Sequence, residues 1–293
     1  MKKIYQSILF ILPLLFASCG DFFENVKEVE LPEHQPKLTA FVAMYGNTAK
    51  VSFSMSKSIL DDDDFPAEKA DYTIYENENI IAQGSYKDSN EIYFEKITLS
   101  KKIVAGKKYT LKAKSQKLGE IQSVQIPLPP PVLSKGEYIK NGGLNYENDP
   151  SDRVEFDIQD DGSYENYYII MVDKIDKNGK EEGLDIYSWG DPGAKKIKWE
   201  NLDCVLLADK TFNGKIRHVG VNMLESYSDS GIKFKIKVLS ITKETFDFLI
   251  SLKQYEKSNF NPFAEPVVVS NNIENGYGTF AAYTISELII KQK

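Results

Sequence analysis

The side chains that most often carry out chemistry are scarce in this sequence. Its 293 residues include two histidines, His34 and His218, and two cysteines, Cys19 and Cys204. Two cysteines cannot form a four-cysteine zinc site or a disulfide framework, and two histidines cannot form a three-histidine zinc centre. We therefore expect no metal and no cofactor.

Cys19 is the strongest candidate for a covalent modification. Lys2 and Lys3 precede a short apolar stretch at residues 8–16. This stretch is too short to cross about 30 Å of hydrocarbon and is typical of a secretory signal peptide. Residues 16–20, Phe-Ala-Ser-Cys-Gly, resemble the lipobox at which bacterial lipoproteins are cleaved and lipidated.

This pattern predicts a signal peptide over residues 1–18 and a lipid-anchored tether over residues 19–35. A diacylglyceryl group joined to the Cys19 thiol by a thioether, with acyl chains such as palmitate, would hold the protein on a membrane without a transmembrane helix. Asp21 and Glu24 resemble the signal by which some bacterial lipoproteins are exported to the cell-surface face of the outer membrane, and a periplasmic face remains the alternative. An ordinary secretory signal with an unmodified cysteine is the other interpretation.

A run of four carboxylates lies in a predicted loop of the first half of the chain. Such a density of carboxylates could bind Ca²⁺, which takes six to eight oxygen ligands. The run contains no Gly or Asn to shape a binding loop, which favours a solvated or partner-facing loop. Its members are Asp61, Asp62, Asp63 and Asp64.

Aromatic side chains are the better candidates for binding. Tyr187, Trp189 and Trp199 bracket a loop that contains Gly and Pro at residues 190–193. Rings on loops can stack on sugars or anchor a protein partner, and packing inside the protein is the alternative.

No motif indicates catalysis or nucleic-acid binding. His218 lies in an alternating strand pattern without a neighbouring nucleophile, and the glycine-framed serine of hydrolases is missing. Cys204 follows Asp203 in an apolar run and is expected to be a small buried residue. The net charge of -7 disfavours a nucleic-acid surface, which needs clustered cations. We expect a protein that is not an enzyme.

The elements that position these residues are predicted to be mostly strands, in an all-β fold of two sandwich domains. Val51, Phe53 and Met55 alternate with serines, as in a half-buried strand. Alternation of this kind predicts an immunoglobulin-like β-sandwich over residues 36–128. The proline-rich segment at 129–133 cannot pair as a central strand, which predicts a domain linker.

Residues 134–293 are predicted to form a larger β-sandwich with one helix. Residues 231–238 alternate apolar residues with lysines, which predicts a strand with one core face and one solvated face. Thr242 can cap a helix over residues 242–257, because apolar residues recur there at helical spacing. Asn178-Gly179 predicts a type I′ hairpin turn.

The segment after this helix carries a family resemblance. It resembles the closing motif of the Bacteroidota lipoproteins called the domain-of-unknown-function 4249 family, and weaker similarities cover nearly all of the mature chain. The motif predicts a structural corner between the helix and the last strand, or a binding surface there. Its residues are Asn261, Pro262, Phe263, Ala264, Glu265, Pro266, Asn271, Asn272, Gly276 and Gly278.

The resemblance implies an outer-membrane lipoprotein, often encoded beside a TonB-dependent receptor. We therefore expect an accessory protein that helps such a receptor to capture or take up cargo. The alternatives are an independent surface lipoprotein that binds a glycan or peptide, and a structural component of an envelope assembly.

Overall fold

The computed structural model describes most of the chain that follows the predicted tether. It covers residues 33–58, 66–86, 94–145, 147–187, 193–199, 201–224, 226–227, 231–259, 265 and 267–292. Several residues singled out in the sequence lie outside the described residues: Cys19, Asp61, Asp62, Asp63, Asp64, Trp189, Asn261, Pro262, Phe263, Ala264 and Pro266.

The described residues are mostly strands, which confirms the all-β class. The strands are Leu38–Tyr45 (β1), Thr48–Met55 (β2), Ala70–Glu76 (β3), Asn79–Tyr86 (β4), Glu95–Thr98 (β5), Tyr109–Ser115 (β6), Gly119–Gln125 (β7), Val132–Leu144 (β8), Pro150–Gln159 (β9), Tyr167–Ile175 (β10), Glu181–Leu184 (β11), Ile186–Tyr187 (β12), Ala194–Trp199 (β13), Leu202–Ala208 (β14), Ile216–Met223 (β15), Lys233–Ile241 (β16), Tyr277–Ala282 (β17) and Thr284–Lys291 (β18). The helix α1 spans Lys243–Asn259.

These strands form four sheets that face each other in pairs. Sheet A has the order β17-β1-β2-β5 and faces sheet B, which has the order β4-β3-β6-β7. Sheet C has the order β12-β15-β9-β8 and faces sheet D, which has the order β13-β14-β10-β16-β18 with β11 beside β10. Each facing pair encloses a core, as in a β-sandwich.

A third core joins the two sandwiches. It is formed by the second face of sheet D, by α1 and by the second face of sheet A. Strands β1 and β10 explain why this layer exists, because both are apolar at nearly every position. In β1, Val42 faces the core of the first sandwich and Ala43 faces the third core. A strand that is apolar on both faces must be covered on both faces.

Strand β17 completes sheet A from the far end of the sequence. It pairs in parallel with β1, with Gly278 opposite Ala40. Gly278 has φ +109, and a Cβ at this position would lie 2.0 Å from the backbone oxygen of Ala40. The chain then crosses at Tyr283 into sheet D, where β18 pairs with β16. Only glycine combines this backbone conformation with so close an approach.

The predicted helix is confirmed, with its start and end shifted by one and two residues. The amide of Thr245 donates to Thr242 Oγ1 at 3.4 Å, so Thr242 caps the helix as expected. Its hydroxyl also donates to Gln125 Oε1 at 2.7 Å, which connects the helix start to β7. In the described part of the chain, no helix is long and apolar enough to cross a membrane.

The hairpin predicted at Asn178-Gly179 is present, but its turn type is different. A type I′ turn needs positive φ at both central residues, whereas only Gly179 has one here. The amide of Gly179 donates to the Asp176 carbonyl at 3.0 Å, and Asp176 pairs with Lys180. This is a three-residue loop with a type I turn and a glycine bulge. Asp176 Oδ1 accepts two further hydrogen bonds, from the backbone amides of Asn178 and Lys180.

The proline-rich segment lies against the last strand of the chain. Thr284 Oγ1 donates to the Leu128 carbonyl at 2.7 Å, and Ser286 donates to the Pro131 carbonyl. Strand β8 begins at Val132, inside the predicted linker. The predicted second region, 134–293, also contains β17, which pairs within the first sandwich. The division of the chain into domains at 129–133 stays a prediction.

Replacing Gly278 tests the close approach of β17 to β1. We expect Gly278→Ala to lower the free energy of unfolding by about 3 kcal/mol or more, because strained φ and a steric clash add. Gly179→Ala is the matched control: its φ is +82, but a Cβ there meets nothing within 4 Å. We expect it to cost about 1 kcal/mol. Urea unfolding measures both, and equal losses would contradict this view of the strand pair.

Candidate functional site

Three aromatic side chains meet where the two sandwiches join. Tyr45 ends β1, Tyr283 lies between β17 and β18, and Trp199 ends β13. The rings of Tyr45 and Tyr283 stack with centroids 5.4 Å apart and planes 17° apart. Trp199 meets Tyr283 edge to face, with centroids 5.8 Å apart. Stacked and edge-to-face arrangements such as these are the geometries that aromatic rings prefer.

A cleft of about 230 Å³ opens beside this aromatic cluster, and we call it the junction cleft. Residues of sheet A line one side of the cleft and residues of sheet D line the other sides, so both sandwiches contribute to it. Ligand sites are found preferentially at such junctions. The residues that line it are Tyr45, Met171, Asp173, Glu181, Trp199, Lys237, Leu239, Tyr283, Ile285 and Glu287.

The floor of the junction cleft carries paired charges. Lys237 Nζ lies 2.7 Å from Asp173 Oδ2, and their side chains are 22% and 8% exposed. Lys235 Nζ lies 2.5 Å from Glu181 Oε1. The hydrogen bond to Glu181 raises the pKa of Lys235, with further contributions from Glu287 and Asp173. Three carboxylates, Asp173, Glu181 and Glu287, and one lysine, Lys237, line the cleft, and Lys235 pairs with Glu181 from outside the lining, so carboxylates are in excess.

The prediction that β16 has a solvated lysine face is wrong for Lys235 and Lys237, whereas Lys233 is exposed. Lys235 and Lys237 are largely covered and form ion pairs. The reason is that the second face of sheet D packs against another layer rather than against water. The lysine stems lie at the margin of that layer, so their charged ends need carboxylate partners.

Trp199 lies in the core rather than on a loop surface. Its ring is 4% exposed, which agrees with the alternative of packing inside the protein rather than with direct contact of the ring with a ligand. Its Nε1 is buried and has no hydrogen-bond partner in the structure. Tyr187 belongs to sheet C, where it pairs with Asn222, so the structure does not bring it into one sheet with Trp199.

The described members of the predicted motif from Asn271 to Gly278 form a corner that leads into β17. The side-chain amide of Asn272 exchanges two hydrogen bonds with the backbone of Phe280, both at 2.8 Å. Ser123 Oγ donates to the Asn272 carbonyl at 2.6 Å, which connects the corner to β7. Asn271 Nδ2 donates to the carbonyls of Ile273 and Gly276. These amides satisfy backbone groups, so the contacts of this corner are structural.

Two further corner residues have contrasting environments. Gly276 is buried, and a Cβ there would lie 2.5 Å from the Leu38 carbonyl oxygen. Glu265 is exposed, on the segment between α1 and the corner. The amide of Ser270 donates to Ser251 Oγ at 2.8 Å, so the same segment is attached to α1.

Comparison with known proteins supports the family expected from this corner. The family described as "Domain of unknown function (DUF4249)" matches residues 26–289, which is most of the chain. The chain belongs to the DUF4249 family. No curated protein matches it. A crystal structure of a mutant Salmonella alpha-2-macroglobulin is similar over 90% of this chain and 15% of that one, at 11% identity and a TM-score of 0.25.

A polar network on sheet C is a feature of this DUF4249 protein that the sequence analysis missed. His218 lies between two carboxylates, with Nδ1 2.9 Å from Asp157 and Nε2 3.2 Å from Glu155. The hydrogen bond to Asp157 raises the pKa of His218. Arg153 and Lys135 bind the outer oxygens of the same carboxylates. Alternation of charged residues in β9 was the available signal, but the strand register was needed to place His218 beside them.

Cys204 is buried, as expected. It is fully covered, and burial raises the pKa of its thiol to about 12. Its Sγ lies 3.4 Å from the Leu202 carbonyl oxygen. A protonated and covered thiol is a poor nucleophile and a poor metal ligand. No group of three or more His, Cys, Asp or Glu side chains that could hold a metal occurs in the described residues.

Fluorescence tests the burial of Trp199 beside the cleft. The chain has two tryptophans, so Trp189→Phe leaves Trp199 as the sole reporter. Because the ring is buried, we expect emission at a shorter wavelength than in the unfolded chain and weak quenching by acrylamide. The Trp199→Phe variant, which keeps Trp189, serves as the comparison. Quenching of Trp199 as strong as in urea would show that the ring is a surface group.

Proposed function

We propose that this DUF4249 protein is a non-catalytic, lipid-anchored binding protein of the outer membrane, on its cell-surface face. It acts as the partner of a TonB-dependent receptor and helps to capture or take up the receptor's cargo. The observation that carries the binding role is the junction cleft. Tyr45, on its wall, is partly exposed beside a floor of paired charges. Charges that are already paired, such as Lys237 and Asp173, are suited to hydrogen-bond a polar ligand rather than to attack it.

The two cysteines support lipid anchoring at the N-terminus. Cys204 is buried in the third core, so its thiol is not accessible to a lipid-transferring enzyme. Cys19 is the other cysteine of the chain, at the lipobox-like sequence. Leu38, the first residue of β1, follows Cys19 by 19 residues, and most of these belong to the predicted tether over residues 19–35.

The support for the receptor partnership is the family resemblance, which implies such a genomic neighbour. The cleft adds a physical reason for an accessory role. Its volume of about 230 Å³ is below the range of about 300–1,000 Å³ that is usual for sites enclosing a whole small ligand. A site of this size holds part of a ligand, and a second protein would enclose the rest.

A second candidate function is independent binding of a glycan or peptide at the cell surface. The specific observation in its favour is the ring of Tyr45, which is partly exposed beside the cleft and stacks on Tyr283. An aromatic face next to paired charges can hold the apolar face of a sugar. In this version the protein needs no receptor.

Crosslinking in intact cells tests the proposed function. We expect the wild-type protein to incorporate a clickable palmitate analogue, to fractionate with the outer membrane and to recover a TonB-dependent receptor after crosslinking. Cys19→Ser removes the only accessible lipid acceptor, so label and membrane association are lost. Mass spectrometry identifies the crosslinked partner.

Cys204→Ser is the matched control for the loss of a cysteine. It should keep the lipid label and the receptor, because the Cys204 thiol is covered by the core. Recovery of the labelled wild-type protein without any receptor would contradict the accessory role. Lipid label that persists in Cys19→Ser would contradict the anchor.

A further inference from the structure

A second concave site lies on the other margin of the third core, between α1 and the edge strand β13. It is a groove of about 260 Å³, which we call the lysine groove. Its apolar lining consists of Ile197 from β13 with Leu249 and Leu252 from α1. Ile197 and Leu249 are each 5% exposed, so the groove opens directly onto core side chains.

Cations surround this apolar lining. Lys196 and Lys198 of β13 lie 2.5 Å and 3.2 Å from the carboxylate of Asp203 and share it. Lys253 of α1 donates to the backbone oxygen of Lys196 on the open edge of sheet D. Glu256 is the other carboxylate of the groove, and it is exposed. Three lysines therefore face two carboxylates, in a chain whose net charge is -7.

The positive charge of the groove is not fully compensated. The pKa of Lys253 is lowered by burial and then by the neighbouring cations Lys257, Lys196 and Lys195. For Asp203, burial raises the pKa, but the hydrogen bonds from Lys196 and Lys198 more than offset this, so the net shift is downward. An additional anion in the groove would relieve the repulsion among these lysines.

We propose that the lysine groove binds a single-chain anionic amphiphile, with an aliphatic chain against Ile197, Leu249 and Leu252 and a carboxylate beside Lys253 and Lys198. At about 260 Å³ the groove is also below the range of about 300–1,000 Å³ that is usual for sites enclosing a whole small ligand, so it holds part of one aliphatic chain and the rest stays outside. A two-chain bilayer lipid would not fit in it. This site is separate from the junction cleft and goes beyond the proposed function.

Calorimetric titration with sodium decanoate below its micelle concentration tests the proposal. The protein used is the mature chain from residue 20, without the lipidated cysteine. All three cores are built from residues between 38 and 290, so this form keeps them. We expect saturable binding of one decanoate. Decanol lacks the charge and acetate lacks the chain, so each should bind at least tenfold more weakly.

Substitutions of single residues then test whether decanoate binds in the lysine groove. Lys253→Met keeps the apolar stem and removes the charge, and we expect at least a tenfold loss of decanoate affinity. Lys198→Met, at a side chain that is 71% exposed, gives a second variant whose folding is not at risk. Glu256→Gln should strengthen binding by a few fold, because it removes a repelling carboxylate. Lys114→Met, at the exposed Lys114–Glu120 pair on sheet B, is the control and should change nothing.

Three results would overturn the proposal. The first is equal binding of decanoate and decanol, which would show that the charge plays no part. The second is decanoate affinity that is unchanged in both Lys253→Met and Lys198→Met. The third is binding to anionic phospholipid vesicles without any binding of decanoate, which would indicate docking on a bilayer instead.

Discussion

Strand β1 has no polar face, and this constraint shapes most of the protein. Its side chains alternate between the core of the first sandwich and the third core, so β1 must lie between two layers. Sheet A therefore cannot be the outer wall of an isolated sandwich. Its far edge is completed by β17, which lies near the C-terminal end of the sequence and pairs in parallel with β1. Gly278 and the amide of Asn272 allow and stabilise that pairing.

The two concave sites follow from the same arrangement. Sheet A and α1 cover only part of the second face of sheet D. The junction cleft and the lysine groove lie where this covering layer ends. At one margin, Trp199 borders the junction cleft; at the other, Ile197 borders the lysine groove. Both residues belong to β13. At each margin, lysine stems continue the apolar surface while their ammonium groups bind carboxylates such as Asp173 and Asp203.

Local patterns in the sequence predicted local structure well. The alternation in β2, the cap at Thr242 and the hairpin after β10 are all present, because each depends on residues close in sequence. The errors arose from contacts over long distances. Trp199 and the lysines of β16 have polar or loop-like sequence contexts, yet a second layer covers them. Nothing local to His218 indicates that the strand register places Asp157 opposite it.

If the first sandwich depends on the C-terminal strand β17, a fragment that lacks this strand should not fold. Residues 36–131 contain β1 through β7 but lack β17 and the layer that covers the second face of β1. We expect this fragment alone to show no cooperative urea transition and little hydrogen-exchange protection in β1. The full chain should show a cooperative urea transition and hydrogen-exchange protection in β1. A sharp transition of the fragment, with native-like protection of β1, would show that the first sandwich folds without β17.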